Sequence, residues 1–180
     1  MKQITVPGFE QVGPTSQALF EQMKKRLGKV PNLYATIGYS EHALKAFMEF
    51  EAGLNGGSFR PKEREAIALV VSEVNGCAYC LAGHTAAAIR TGLTKEDTLD
   101  IRRGEVKNDE KLNTIVRLAK AIAETKGNPP SDLLDAFYNA GYAEAALMDL
   151  VGLITVRVFT NYVFALTKIP VDFPAAPPLS

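Results

Sequence analysis

The stretch that decides the fold is residues 61–92, PKEREAIALVVSEVNGCAYCLAGHTAAAIRTG. Pro61 suits the first turn of a helix, because its fixed φ is helical and its missing N–H has no partner to lose there. A charged first turn then gives way to Ile67, Leu69, Val70 and Val71, and Asn75-Gly76 reads as a C-terminal break. The remainder, from Cys77 to Gly92, is a second helical segment rich in alanine, whose small side chains let another helix approach closely. Two helices joined by a tight turn predict a site at the centre of a helical bundle.

Working outward, the other segments between helix breakers also carry helical period, and no alternating strand pattern stands out. Pro14 to Leu27 is expected as a helix ending at Gly28. KVPNLYATIGYS follows as a connection or partial helix, and Ser40 caps a helix carrying Leu44, Phe47, Met48 and Leu54 as far as NGGS. Downstream, Thr94 and Asp109 cap two more, Ser131 is expected to cap another, and a long apolar helix follows Tyr142. The tail IPVDFPAAPPLS has four prolines, which exclude a helix or central strand and predict an extended run over another surface. The fold class is thus all-α, with residues 1–180 as a single domain. It divides into N-terminal helices (14–57), a helix pair (61–92), C-terminal helices (94–167) and the tail (168–180).

Composition narrows the function. A chain of 180 residues that is 47% hydrophobic can bury a sizeable core. Twenty basic and twenty acidic residues spread along it offer no basic face for nucleic acid. The first 20 residues lack a continuous apolar secretory segment, so the protein is expected in the cytoplasm. Asp149, Arg157 and Asn161 interrupt the apolar run AALMDLVGLITVRVFTNYVFAL, which reads as a buried helix and not a membrane anchor.

Both cysteines of the chain lie within the quoted stretch, as CAYC, with His84 four residues beyond the second. On a helix, Cys77, Cys80 and His84 share one stripe. The free N–H groups of a helix start favour a thiolate, and an imidazole one turn beyond Cys80 suits a proton acceptor, a spacing that favours Cys80 as the more activated sulfur. Against this, Cys77 sits nearer the helix start. Two acids are candidates for a relay, Glu73 and Glu65, of which Glu65 lies roughly 18 Å from Cys77 along an unbroken helix and reaches the thiols only if Asn75-Gly76 folds one helix back on the other. Zinc ligation by the two cysteines, His84 and one acid, or inert core packing, remain alternatives at this point. His42 and Tyr79 read as a surface residue and a packing aromatic.

Residues 64–88, REAIALVVSEVNGCAYCLAGHTAAA, closely resemble the core of the AhpD-like alkylhydroperoxidases within the carboxymuconolactone decarboxylase superfamily. GKVPNLYATIGYS and NYVFALTKIPVDFP extend the likeness to its peroxidase-related branch. The resemblance implies an all-helical subunit assembled as a trimer or hexamer. It also implies a relay of Glu65, Cys77, Cys80 and His84, with Cys80 attacking an organic hydroperoxide, Cys77 resolving, and an external dithiol of lipoyl or thioredoxin-like type restoring the pair; no cofactor is implied. Well-studied members carry a histidine where this chain has Tyr79, so one relay member is missing here. A carboxymuconolactone-type lactone decarboxylase, or a non-catalytic metal-binding or scaffold protein, are the alternative functions.

Overall fold

The computed structural model describes residues 3–179, and among these all regular structure is helical. After a 3-10 turn at Phe9–Gln11 come α1 (Pro14–Leu27), α2 (Asn32–Ile37), α3 (Glu41–Asn55), α4 (Pro61–Val74) and α5 (Ala78–Arg90). The chain continues through α6 (Lys95–Arg103), α7 (Glu110–Thr125), α8 (Ser131–Asn139) and α9 (Glu144–Thr167).

Helix α4 is the centre. Every residue from Ala66 to Ser72 is buried, which is what the unbroken apolar run in that helix demands: with no polar face to give to water, it must be covered on all sides. The covering elements are α5, α6, α7 and α9. Helix α7 contributes an apolar stripe through Leu112, Ile115, Val116, Ala119 and Ile122, all buried, while its other face carries exposed Glu110, Lys111 and Arg117. Helix α3 meets α9 at Gly152, where an added Cβ would come within 2.7 Å of a Leu54 methyl group.

Helix ends follow the expected caps. The backbone N–H of Ala43 donates to Ser40 Oγ at 3.2 Å, and that of Leu112 donates to Asp109 Oδ1 at 3.0 Å. Thr94 and Asp97 cap α6 reciprocally, at 3.0 and 2.8 Å. Ser131 is the exception: it is the first residue of α8, and Pro130 occupies the cap position with no side-chain hydrogen bond. The extended backbone of Pro130 (φ −54°, ψ 141°) shifts the boundary by one residue.

Helix α9 is long and apolar enough to span a membrane by length and composition, but half of its most apolar window is packed inside the fold, and Arg157 and Asn161 are turned into that interior. The proline-rich tail lies extended, as its composition requires. Ile169 is buried, Pro170 O accepts from Asn32 Nδ2 at 3.1 Å, and Pro177 O accepts from Arg102 Nη1 at 2.5 Å. The tail is thereby strapped across α2 and α6, passing over the start of α5.

Candidate active site

The site begins with the turn between α4 and α5. Asn75 closes α4 near φ −88°, ψ 0°, and Gly76 reverses the chain at φ +61°, a left-handed conformation that costs a residue with a Cβ roughly 1–2 kcal/mol. Cys77 N–H then donates to Ser72 O at 2.9 Å. A third helix fixes this turn from outside. Asn161 on α9 accepts from Asn75 Nδ2 at 2.9 Å and donates from its own Nδ2 to Ser72 Oγ at 3.3 Å. The turn lays α5 back along α4, and Glu65 Oε2 meets His84 Nδ1 at 2.8 Å. The acid that an unbroken helix would hold far from the thiols therefore stands beside the imidazole one turn from Cys80.

Cys77 is itself the cap of α5, its sulfur accepting the Cys80 backbone N–H at 3.3 Å. The two thiols are free, with their sulfurs in hydrogen-bonding contact at 2.6 Å. This contact, together with the backbone N–H and the Asn161 amide, draws the Cys77 pKa below the ordinary thiol value in spite of burial. Cys80 is pushed upward by its hydrogen bond with Cys77, by burial, and by the repulsion of a second charge beside Cys77. The resting charge thus favours Cys77, whereas the cysteine on the cavity wall is Cys80. Cys80 lines a cavity of about 640 Å³ together with His84, Glu65, Arg157 and Thr160. Spacing favours Cys80 as the more activated sulfur, with the nearness of Cys77 to the helix start as the opposing argument; the cap position of Cys77 gives that opposing argument its physical basis.

Two residues complete the charge arrangement. Arg157, buried on α9, places Nη1 3.0 Å from His84 Nε2. A guanidinium can only donate, so Nε2 carries the lone pair and the proton of the neutral ring sits on Nδ1, donated to Glu65. Arg157 also forms a short ion pair with Glu51 of α3, and Tyr34 OH donates to the same carboxylate at 3.4 Å. Burial works against ionisation of Glu65, but electrostatic attraction to His84 and the hydrogen bond it makes, with Arg157 and Arg90 behind them, outweigh it and hold Glu65 below its usual range. Burial likewise works against the Arg157 charge, and Glu51 more than offsets it. Among the described residues no group of three His, Cys, Asp or Glu side chains is arranged to hold a metal ion.

Of the sequence candidates, Glu65, Cys77, Cys80 and His84 are therefore gathered at one place. Glu73 is not: it accepts from Arg102 Nε at 2.7 Å on the far side of the turn. His42 is exposed. Tyr79 packs edge-on against Phe173, and its hydroxyl donates to Asp172 at 2.5 Å, tying the tail to α5. Sequence reading missed Arg157, Thr160 and Asn161 as site residues, although their spacing puts all three on one face of an otherwise apolar helix. It also missed Glu51, which carries no local signal.

Residues 41–106 match the carboxymuconolactone decarboxylase family. Several solved structures share the fold across nearly the whole chain. An uncharacterized peroxidase-related protein with an alkylhydroperoxidase AhpD core, from Ralstonia eutropha JMP134, superposes with a TM-score of 0.83 at 16% identity, over 93% of this chain and 90% of its own. The chain shares the fold of this AhpD core. A peroxidase-related protein from Silicibacter sp. TM1040 is similar at 22% identity and a TM-score of 0.77, covering 97% and 93% of the two chains. The debrominase Bmp8, as a cysteine-to-alanine variant bound to 2,3,4-tribromopyrrole, gives 19% identity and a TM-score of 0.79 over 96% and 92%. No curated protein matches the chain by sequence. The matched segment, 41–106, contains Glu65, both cysteines and His84, while Arg157 lies outside it.

The split between the two sulfurs is testable by ultraviolet thiolate absorbance of the reduced protein. One thiolate is expected to form below the ordinary thiol pKa of about 8.5, and the second only well above it. The low step should persist in Cys80→Ser and vanish in Cys77→Ser; a low step surviving in Cys77→Ser would assign the acidic thiol to Cys80.

Proposed function

We propose that the protein is a thiol-dependent peroxidase that reduces organic hydroperoxides through Cys77 and Cys80. The observation that carries this reading is the pairing of two free thiols in contact, one of them on a cavity wall, with an imidazole one turn away that a carboxylate holds in a fixed tautomer. Three elements of activated-nucleophile chemistry, the nucleophile, its base and the group orienting the base, are thereby present together.

His84 Nε2, once Arg157 releases it, accepts the first proton lost from the dithiol, and Glu65 stabilises the resulting imidazolium through Nδ1–H. The charge left on Cys77 passes to Cys80 by movement of one S–H proton across the 2.6 Å contact. The Cys80 thiolate attacks the distal oxygen of the hydroperoxide. The O–O bond breaks, an S–O bond forms, and the departing alkoxide takes a proton from the imidazolium to leave as alcohol, so that Cys80 is oxidised to sulfenic acid. Cys77 then attacks Cys80, forming the disulfide and releasing water. An external dithiol, lipoyl or thioredoxin-like, restores both thiols by exchange. Tyr79, which replaces the extra histidine of well-studied members, takes no part in this relay because its hydroxyl is engaged by Asp172.

The debrominase likeness concerns the fold alone and does not select a reaction. A lactone decarboxylase has no use for the resolving thiol, and it would work equally well without Cys77. We place the protein in the cytoplasm, where such dithiols are kept reduced.

Assembly belongs to the same reading. Met148, Val151, Phe159, Tyr162 and Leu166 form an exposed apolar stripe along α9, with Leu166 80% and Tyr162 62% exposed. A stripe of this kind on a helix that already supplies Arg157 to the site supports a trimer or hexamer in which copies cover it. Light scattering should give three or six times the 19.5 kDa subunit mass, and Leu166→Glu should shift it toward the monomer; a monomeric parent protein would contradict the assembly.

Activity variants separate the roles. Cys80→Ser should abolish hydroperoxide consumption. Cys77→Ser should accumulate a sulfenic acid on Cys80, trapped by dimedone, and Glu65→Gln should slow the first oxidation about 100-fold. Undiminished turnover in Cys80→Ser contradicts the assignment.

A further inference from the structure

The charge lining the cavity is out of keeping with the chain. The protein as a whole is neutral, yet five cations, Arg26, Lys29, Arg64, Arg90 and Arg157, line this one space against two carboxylates, Glu51 and Glu65. Three of the cations are committed. Arg157 pairs with Glu51, Lys29 pairs with Asp172 at 2.9 Å, and Arg64 donates to the Phe59 and Asn55 carbonyls at 2.6 and 3.1 Å. Arg26 and Arg90 make no hydrogen bond or ion pair among the described residues, and both are exposed at the edge of the cavity. Their charge nevertheless reaches inside, since Arg90 contributes to keeping Glu65 ionised and Arg26 acts on Tyr34.

Helix α5 sets the scale of the space. Cys80, Gly83, His84, Ala87 and Arg90 all line it, and their spacing is that of one helix face. The reactive thiol thus stands at one end and a free guanidinium at the other, about 15 Å apart at 1.5 Å per residue. Gly83 and Ala87 between them have almost no side chain to block the passage. Leu27, Leu33, Ile67, Leu153 and Phe173 give the rest of the lining an apolar part beside the charged groups already named. A cavity with a cationic mouth, a greasy waist and a thiol at its inner end fits a molecule with an anionic head, a hydrocarbon body and an oxidising group away from the head. Guanidinium favours a carboxylate for such a head, because its planar donors match two oxygens.

We propose that the substrate is an amphiphilic organic acid, a hydroperoxide on an apolar chain whose carboxylate is bound by Arg26 and Arg90 at the mouth while Cys80 meets the peroxide at the inner end. The reaction is the one already written, an O–O bond reduced to alcohol as Cys80 becomes a sulfenic acid; this inference rests on the peroxidase reading for the chemistry and on the cavity for the substrate class.

The test uses octanoate and octanamide, which share a chain and differ in charge, titrated calorimetrically into the reduced full-length protein. Octanoate is expected to bind at least about tenfold more tightly than octanamide, the scale of one charge-assisted hydrogen bond. Raising the salt concentration should erode that preference, and Arg26→Gln/Arg90→Gln should remove it. Equal binding of the two ligands, no binding of octanoate, or an unchanged preference in the double variant each overturns the proposal. Oxidation of Cys80 by a carboxylated and by a neutral hydroperoxide is followed in parallel. If octanoate behaves as expected while neither hydroperoxide oxidises Cys80, the acid site stands and the peroxidase reading fails. If a neutral hydroperoxide oxidises Cys80 as efficiently as the carboxylated one, the substrate class is wrong and the peroxidase reading stands.

Discussion

The turn at Asn75-Gly76 is the constraint on which the site depends. Without a left-handed residue between α4 and α5 the chain could not reverse within so few residues, and Glu65 and His84 would lie on helices pointing away from one another. Gly76 supplies the conformation, while Asn161 holds the turn from the neighbouring helix through both Asn75 and Ser72. The same reversal makes Cys77 a helix cap and so gives it an N–H donor. One backbone event therefore sets the carboxylate–imidazole contact, the acidity of Cys77 and the presentation of Cys80 to the cavity.

The second constraint is electrostatic. Glu51, Arg157, His84 and Glu65 form a chain of contacts in the partly buried wall of the cavity. Ionised groups in such a place are costly unless each has partners, and removing one member of a buried pair leaves the other uncompensated. The arrangement alternates in sign from Glu51 to Arg157, with the imidazole between Arg157 and the second acid, so no carboxylate faces another. It also leaves His84 poised, its tautomer fixed by Glu65 and its lone pair covered by a donor that must move before the ring can accept a proton.

Much of the fold was legible in the sequence because its signals are local. Pro14, Ser40, Pro61, Thr94 and Asp109 mark helix starts within a residue or two of where they occur, and the apolar run in α4 announces a central helix. Ser131 was misread because two prolines before it extend the backbone and take over the cap position. Site residues were legible only where they shared a segment: the cysteines and His84 by helical spacing, Glu65 by the AhpD-like pattern around them. Glu51 and Arg157 come from helices separated by more than a hundred residues of chain, and their meeting is a product of packing around α4 that no local pattern encodes. Arg157 and Asn161 were noticed only as interruptions of an apolar run; in a buried helix, a polar face of that kind is better read as facing a site.

The central claim is that the reduced pair reacts as a unit. The most direct measurement is titration of the fully reduced protein with an organic hydroperoxide, counting free thiols and weighing the peptide that contains residues 77 to 84. One equivalent of hydroperoxide should consume both thiols and yield one equivalent of alcohol and a Cys77–Cys80 disulfide. Survival of both thiols in excess hydroperoxide, or oxidation of one sulfur with the other left free, would contradict it.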